Sequence, residues 1–386
     1  MFVYLDNHAT TAVDPRVLDA MLPYFTDRYG NAASRGHTAG YQAKSAVEKA
    51  RTQVADALGA SPKEVVFTSG ATESNNLAIL GAARARGSGH LITVQTEHKA
   101  VLDPCDQLQR EGFRCTRLAV DASGTFPLSA LEEALEDDTV LVSAMAVNNE
   151  IGTRHDLAAI GALCRERGVL FHSDAAQALH AMPLDVGALN VDLLSLSGHK
   201  AYGPKGIGVL YVRRGRPRVK LAPLFHGGGH ERGLRSGTLP VPLIVGMGVA
   251  AEMAVAGLEN EVPRIQAMRD RLWQGLSAIG GLSLNGAPLA QRSAHNLNLS
   301  VDGVEAEALM MALRDIAMST GSACTSATLE PSHVLRAIGT SEEDAHRSIR
   351  FGLGRFTTED EIAHTVQRFE EEIPRVRKLN SDFSLG

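Results

Sequence analysis

Cysteine is scarce in this sequence: Cys105, Cys115, Cys164 and Cys324 are the only four, and no two of them form a C-x-x-C pair. That count and spacing argue against both a disulfide framework and a zinc knuckle. Charge of one sign is not in large excess either, and a net charge of -6 gives no general reason to expect nucleic acid or an anionic membrane as partner. The start, Met1-Phe2-Val3-Tyr4-Leu5-Asp6, lacks a basic region followed by a long apolar one, and no later apolar run reads as long enough to span a membrane. A cytoplasmic protein with no membrane partner is expected. At 386 residues, 44% hydrophobic and 21% charged, the chain has an ordinary globular composition and room for two domains.

What is present is an alternation. Residues 65–68, 91–94, 140–143, 169–172 and 193–196 are short apolar runs, separated by helical patterns near 73–86, 99–111, 128–136 and 156–167. Apolar strands alternating with helices of this length predict an α/β fold with a mainly parallel sheet covered on both faces. Ahead of them, Asp14-Pro15 opens a helix reaching about Phe25, and residues 41–58 read as an amphipathic helix ending at Gly59. Behind them, 258–276 reads as a helix and 294–300 as a strand. Ligands on such sheets bind beyond the carboxyl ends of the strands, so those ends become the search list.

The end after 193–196 carries Ser197-Gly198-His199-Lys200-Ala201-Tyr202-Gly203, a turn too glycine-rich for helix. A lysine at the mouth of a buried strand can have its pKa depressed by a low-dielectric pocket and become a nucleophile. Lys200 is therefore the candidate Schiff-base lysine, with a solvated loop lysine as the competing reading. After 65–68, the run Ser69-Gly70-Ala71-Thr72-Glu73 passes straight into a helix, where free N–H groups and the helix dipole favour a phosphate and the Thr72 hydroxyl adds a donor. An ordinary capped helix start would look the same. Neither G-x-x-x-x-G-K-[ST] nor G-x-G-x-x-G occurs there, which disfavours nucleoside triphosphates and dinucleotides. His98 follows the strand at 91–94, Asn148-Asn149-Glu150 follows 140–143, and Asp174, with Gln177 within a turn, follows 169–172. A buried Asp for a pyridine nitrogen, an imidazole for a ring face and a lysine are the parts a pyridoxal phosphate site needs. His226-Gly227-Gly228-Gly229-His230-Glu231 offers metal-ligand residue types, but its glycines give no helical spacing to fix them, and no metal is expected. The basic run from Arg213 to Lys220 reads as a solvated strand connection rather than a nucleic-acid patch.

Further motifs extend nearly end to end: Ala9-Thr10-Thr11, Gly70-Ala71-Thr72-Glu73-Ser74, Glu97-His98-Lys99-Ala100-Val101-Leu102, Asn148-Asn149-Glu150-Ile151-Gly152, Ser197-Gly198-His199-Lys200, residues 226–238, and Gly321-Ser322-Ala323-Cys324-Thr325-Ser326. In that order they make the chain resemble a cysteine desulfurase of the nitrogen-fixation and iron-sulfur-cluster type, in class V of the fold-type I pyridoxal-phosphate proteins. The resemblance implies a large domain, 14–250, with a mainly parallel seven-stranded sheet, and a smaller α+β domain from 1–13 and 251–386 carrying the Cys324 loop. It implies that Lys200 holds pyridoxal 5'-phosphate, that Asp174 pairs with the ring nitrogen, that Gln177 and Asn149 contact the ring hydroxyl, and that His98 stacks on the ring. Ala71, Thr72, Ser197 and His199 would hold the phosphate, with Thr238 of a second subunit, so a homodimer is implied. Arg350 would clamp the carboxylate of L-cysteine, a task suited to a guanidinium, with Asn31 at the same end.

Cys324 would carry the distinctive step. Its neighbours are small and polar and suggest an exposed thiol, able to ionise and attack the substrate sulfur, whereas Cys164 sits on an apolar helical face and reads as structural. The products implied are L-alanine and a persulfide on Cys324, passed to a sulfur-acceptor protein for iron-sulfur cluster assembly, tRNA thiolation, or DNA or cofactor modification. Ala32, Arg154 and His180 depart from the usual pattern, and the chain stops short of the longer tail with which housekeeping relatives dock a scaffold. The rival readings are a lyase of the same fold that does not need Cys324, a class V aminotransferase, and a noncatalytic sulfur-relay subunit. Intact Lys200, Asp174 and His98 speak against the last.

Overall fold

The computed structural model describes residues 1–215, 218–320 and 331–384, with side chains through residue 378. The chain opens with the short strand β1 (Val3–Tyr4), helices α1 (Pro15–Met21), α2 (Pro23–Thr26) and α3 (Thr38–Ala57), then strand β2 (Val65–Thr68). There follow α4 (Ala71–Arg86), β3 (His90–Val94), α5 (Lys99–Arg110), β4 (Arg114–Leu118), α6 (Leu128–Ala134), β5 (Thr139–Ser143), α7 (Leu157–Glu166), β6 (Leu170–Asp174), β7 (Leu193–Ser197) and β8 (Gly208–Val212). These seven strands, β2 to β8, form one sheet in the order β2-β8-β7-β6-β5-β3-β4. β8 alone is reversed, antiparallel to β2 and β7, while the other six strands point one way. The expected mainly parallel α/β sheet is the one observed. β2, β3, β6, β7 and β8 are buried almost throughout, which is why four of these five read as continuous apolar runs.

Three differences from the sequence reading have physical causes. The expected helix 14–25 breaks at Leu22 before Pro23, since proline cannot donate into the preceding turn. β4 escapes notice because it is a half-exposed edge strand reading Arg-Cys-Thr-Arg-Leu, without an apolar run. The helix expected at 258–276 is the second half of α8 (Val241–Ala278), which spans 38 residues. Its first half is apolar on nearly every face, so no amphipathic period marks it. This helix is long and apolar enough to cross a membrane by length and composition, contrary to expectation, but it packs here against α3 and α1 and buries Val241, Ile244, Met247 and Ala251 in the core.

After α8 the chain forms β9 (Leu282–Leu284), β10 (Asn296–Val301), α9 (Ala306–Ala312), β11 (Ile316–Ala317), β12 (Ser319–Thr320), α10 (His333–Ala337), α11 (Glu342–His346), β13 (Ser348–Gly352) and α12 (Glu359–Ser384). A four-stranded antiparallel sheet, β12-β13-β10-β9, has its own apolar core with Leu272 and Leu276 from the end of α8 and Phe369 from α12. The N-terminal strand joins this region, since β1 pairs in parallel with β11. Residue 250 lies inside α8, so one continuous helix links the two sheets.

Candidate active site

The carboxyl ends of β2, β3, β5, β6 and β7 open on one cavity of about 450 Å³. Ala71, Thr72, His98, Asn149, Asp174, Gln177, Ser197, His199 and Lys200 all line it. Lys200 ends a single 3-10 turn, Gly198–Lys200, directly after β7. That turn needs glycine at its start, because a Cβ on Gly198 would lie 2.9 Å from the Pro204 carbonyl oxygen. Lys200 Nζ donates to the carbonyls of His8 and Ala9, the latter at 2.9 Å. The N-terminal segment is thus a wall of the site. Thr11 reinforces it, its amide and hydroxyl donating to the His199 carbonyl at 2.9 and 3.0 Å.

Asp174 ends β6, 5% exposed. Its Oδ2 accepts from Asn75 Nδ2 at 2.7 Å and its Oδ1 from the Ala176 amide at 2.9 Å. His98 caps α5, its Nδ1 accepting from the Ala100 amide at 3.0 Å. That bond leaves the ring proton on Nε2, and burial lowers the pKa of the ring and favours this neutral form. His199 Nδ1 lies 3.1 Å from Thr10 Oγ1, and burial with the neighbouring lysines pushes its pKa down to about 4. Helix α4 starts at Ala71 with Gly70 as its cap and, among the described residues, no side chain bonded to its first N–H groups, an open anion-binding terminus.

Three expected residues lie outside the cavity lining. Arg350, on β13, is buried, with Nη2 donating to Asp6 Oδ1 at 2.9 Å and Nη1 to the carbonyl of Asn149 at 3.1 Å. Asn31 is exposed, its Oδ1 accepting from the Ala33 amide at 2.9 Å. Thr238 is exposed on the loop before α8. Cys324 lies outside the described residues. Of the other cysteines, Cys164 is buried and its thiol is pushed up to about 12, which makes it inert.

Sequence reasoning passed over several groups that the fold brings here. Asn75 and Lys205 line the cavity, and Glu97 is buried behind it, its Oε1 accepting from the Met145 amide at 2.5 Å. Burial and the nearby Asp174 hold the Glu97 carboxyl well above the usual carboxylate range. The residue types were visible, yet Asn75 lies inside a helix start and Lys205 in a loop, and Glu97 appeared only as the neighbour of His98. Glu231, in the glycine-rich run considered as a metal site, instead closes a buried ion pair with Arg51 at 2.7 Å and accepts from the Phe67 amide at 2.8 Å, which ties that loop to the sheet.

The sheet, the lysine turn and the helix terminus define a class, and comparison with known proteins agrees. The profile of the class-V aminotransferases matches residues 3–364, and the chain belongs to that family. It is 55% identical over 382 residues to a protein of Shewanella oneidensis named cysteine desulfurase IscS, covering 98% of this chain and 94% of that relative. Among solved structures, a NifS-like protein superposes with a TM-score of 0.90 at 38% identity, covering 97% of this chain and all of the other. A structure titled SspA in complex with cysteine gives 0.82 at 40% identity, covering 92% of this chain and all of the other. Class-V aminotransferases and cysteine desulfurases are families of pyridoxal-phosphate enzymes.

Proposed function

We propose that this chain is a pyridoxal-phosphate-dependent cysteine desulfurase, converting L-cysteine to L-alanine and leaving the sulfur as a persulfide on Cys324. The observation that carries the reading is the single cavity where Lys200, Asp174 and His98 meet the open N-terminus of α4. The donor set fits the cofactor: N–H groups at Ala71 and Thr72 with Ser197 and His199 for the phosphate, Asp174 for the ring nitrogen, Asn149 and Gln177 for the ring hydroxyl, His98 for the ring face, Lys200 for the aldehyde carbon. When bound, pyridoxal phosphate supplies the electron sink for a carbanion at the substrate's alpha carbon.

The chain's own residues supply the remaining steps. Asp174 keeps a proton on the ring nitrogen, and Lys200 Nζ takes the alpha proton of cysteine. Arg350, with Asn31 at the same end, holds the substrate carboxylate. The Cys324 thiolate attacks the substrate sulfur, so that an S–S bond forms as the substrate's Cβ–S bond breaks, and protonation of the remaining carbon skeleton gives alanine. Atoms balance: cysteine plus a thiol give alanine plus a persulfide. The persulfide then passes to an acceptor protein serving iron-sulfur assembly, tRNA thiolation, or DNA or cofactor modification. In this reading 14–250 is the cofactor-binding unit, and 1–13 with 251–386 the unit carrying Cys324. Two chains form a cytoplasmic homodimer in which Thr238 of one reaches the phosphate of the other.

The test is alanine released from L-cysteine in the presence of a thiol reductant. The wild-type protein should release it, Cys324→Ala almost none, and Lys200→Ala should also lose the visible absorbance of covalently held cofactor. Equal alanine from wild type and Cys324→Ala would sink the persulfide route and favour a lyase that needs no protein thiol.

A further inference from the structure

Gln177 reaches the cavity from the turn after β6, and two contacts to a single residue hold it. Its Nε2 donates to the His8 carbonyl at 2.9 Å, and its Oε1 lies 3.1 Å from His8 Nδ1. A carbonyl oxygen only accepts, so the amide has one orientation, nitrogen on the carbonyl and oxygen on the imidazole. The amide oxygen only accepts as well, so His8 Nδ1 must carry a proton. Burial, with Arg350 nearby, pushes the ring's pKa down to about 3 and keeps it neutral. Its Nε2 is then a bare lone pair, buried, with no partner among the described residues.

Two more imidazoles complete the arrangement. His180, three residues beyond Gln177, meets His295 edge-on with ring centroids 4.6 Å apart at 81°. Both are buried, at 6% and 2% exposure, and the Nδ1 of each has no partner among the described residues. Burial depresses both pKa values, to about 4 for His180 and well below the ordinary histidine value for His295, which keeps both rings neutral. Each of the three neutral rings thus keeps one buried nitrogen without a partner among the described residues, and a buried water needs two to four such partners. They come from the N-terminal segment, the turn after β6 and the lead into β10, so only the complete fold assembles them.

We propose that His8 is a positioning residue for Gln177, and that His180 and His295 hold His8 in its Nδ1–H tautomer through a shared buried water that donates to His8 Nε2. With its oxygen and one N–H committed to His8, Gln177 has only its second N–H to offer the cavity. It presents a donor there, and a flipped amide would present an acceptor. The last step rests on the pyridoxal phosphate reading: the donor meets the ring hydroxyl and favours its ionised form.

The first experiment uses wild-type protein without cofactor, labelled with ¹⁵N-histidine. Long-range ¹H–¹⁵N correlation, with His8→Asn assigning the resonance, should show His8 protonated at Nδ1 alone, and His180→Phe should yield mixed tautomers. An Nε2–H tautomer in the wild type would overturn the proposal. The second is the visible absorbance titration of the cofactor-loaded protein. His8→Leu should raise its midpoint by about one pH unit, the value of one hydrogen bond to a charged oxygen, while His8→Asn, which keeps an N–H near the Nδ1 position, should restore it. An unchanged midpoint in His8→Leu would also overturn the proposal. The tautomer measurement needs neither cofactor nor a folded His8→Leu, so a protein that failed to bind pyridoxal phosphate would sink the functional reading and leave this test standing.

Discussion

A carboxylate at the end of a buried strand keeps its charge only where donors replace the water it has lost. Asp174 has two, Asn75 Nδ2 at 2.7 Å and the Ala176 amide at 2.9 Å. Only the first comes from a side chain. Asn75→Ala should lower kcat/KM for alanine formation about tenfold, the value of one charge-assisted hydrogen bond, and Asn75→Asp should cost more by setting a second carboxylate against the first. Wild-type kinetics in Asn75→Ala would mean that Asp174 does its work without this donor. Lys200, His98 and Asp174 were legible in the sequence because each stands at the end of an apolar strand. Asn75 was not, because it lies one turn into α4 among polar residues that read as a helix start. His8 stands 169 residues before Gln177, and nothing local announces their pairing.

Among the elements, α3 packs along α8, and small residues set their separation. A Cβ on Gly248 would lie 2.6 Å from Ala50 Cα, a backbone atom that cannot swing aside. Gly248→Val should therefore force the helices apart and destabilise the fold by about 1–3 kcal/mol, read as a lower urea midpoint, whereas Ser at the exposed Lys49 of α3 should change it little. An unchanged midpoint for Gly248→Val would show that the pair can slide. Residues 241–257 are apolar on nearly every face, Glu252 apart, and a helix without a polar stripe has no period to read. β8 was equally apolar, yet it follows a glycine-rich turn that looked like loop, and its antiparallel course is a property of pairing that no single strand encodes. The parallel strands with intervening helices were legible because burial on both faces and a covering helix leave separate marks in the chain.

Across the whole molecule, buried titratable groups set how stability should vary with pH. His172 lies at the centre of the sheet, its Nδ1 2.8 Å from Ser143 Oγ and its Nε2 3.0 Å from Ser195 Oγ, so one ring joins β5, β6 and β7. Burial pushes His172 and His8 down to about 3 and His180 to about 4, from an ordinary value of 6.5. A group whose folded pKa is depressed stabilises the fold above its unfolded pKa and loses that contribution as pH falls towards the folded one. Each ring therefore withdraws about 2 kcal/mol on going from neutral pH to pH 5. Two carboxyls act oppositely. Glu150 is pushed up to about 7 by burial and Glu97 is raised well above 4.5, so the fold gains from both as pH falls from about 7 to 4.5, and nothing further below that. The opposing slopes offset one another between pH 7 and 5, and beneath that the histidine slope is joined by carboxylates whose partners hold them low, Asp14 beside Arg16 and Arg355 and Glu73 beside Arg235. Urea midpoints should change shallowly from pH 7.5 to 5 and fall steeply below 5. His172→Gln keeps polar contacts to the serines but cannot take a proton near pH 5, so its deficit relative to wild type, present at pH 7.5, should shrink by pH 4.5. A deficit that stays constant across that range would show that His172 does not carry its share of the acid instability.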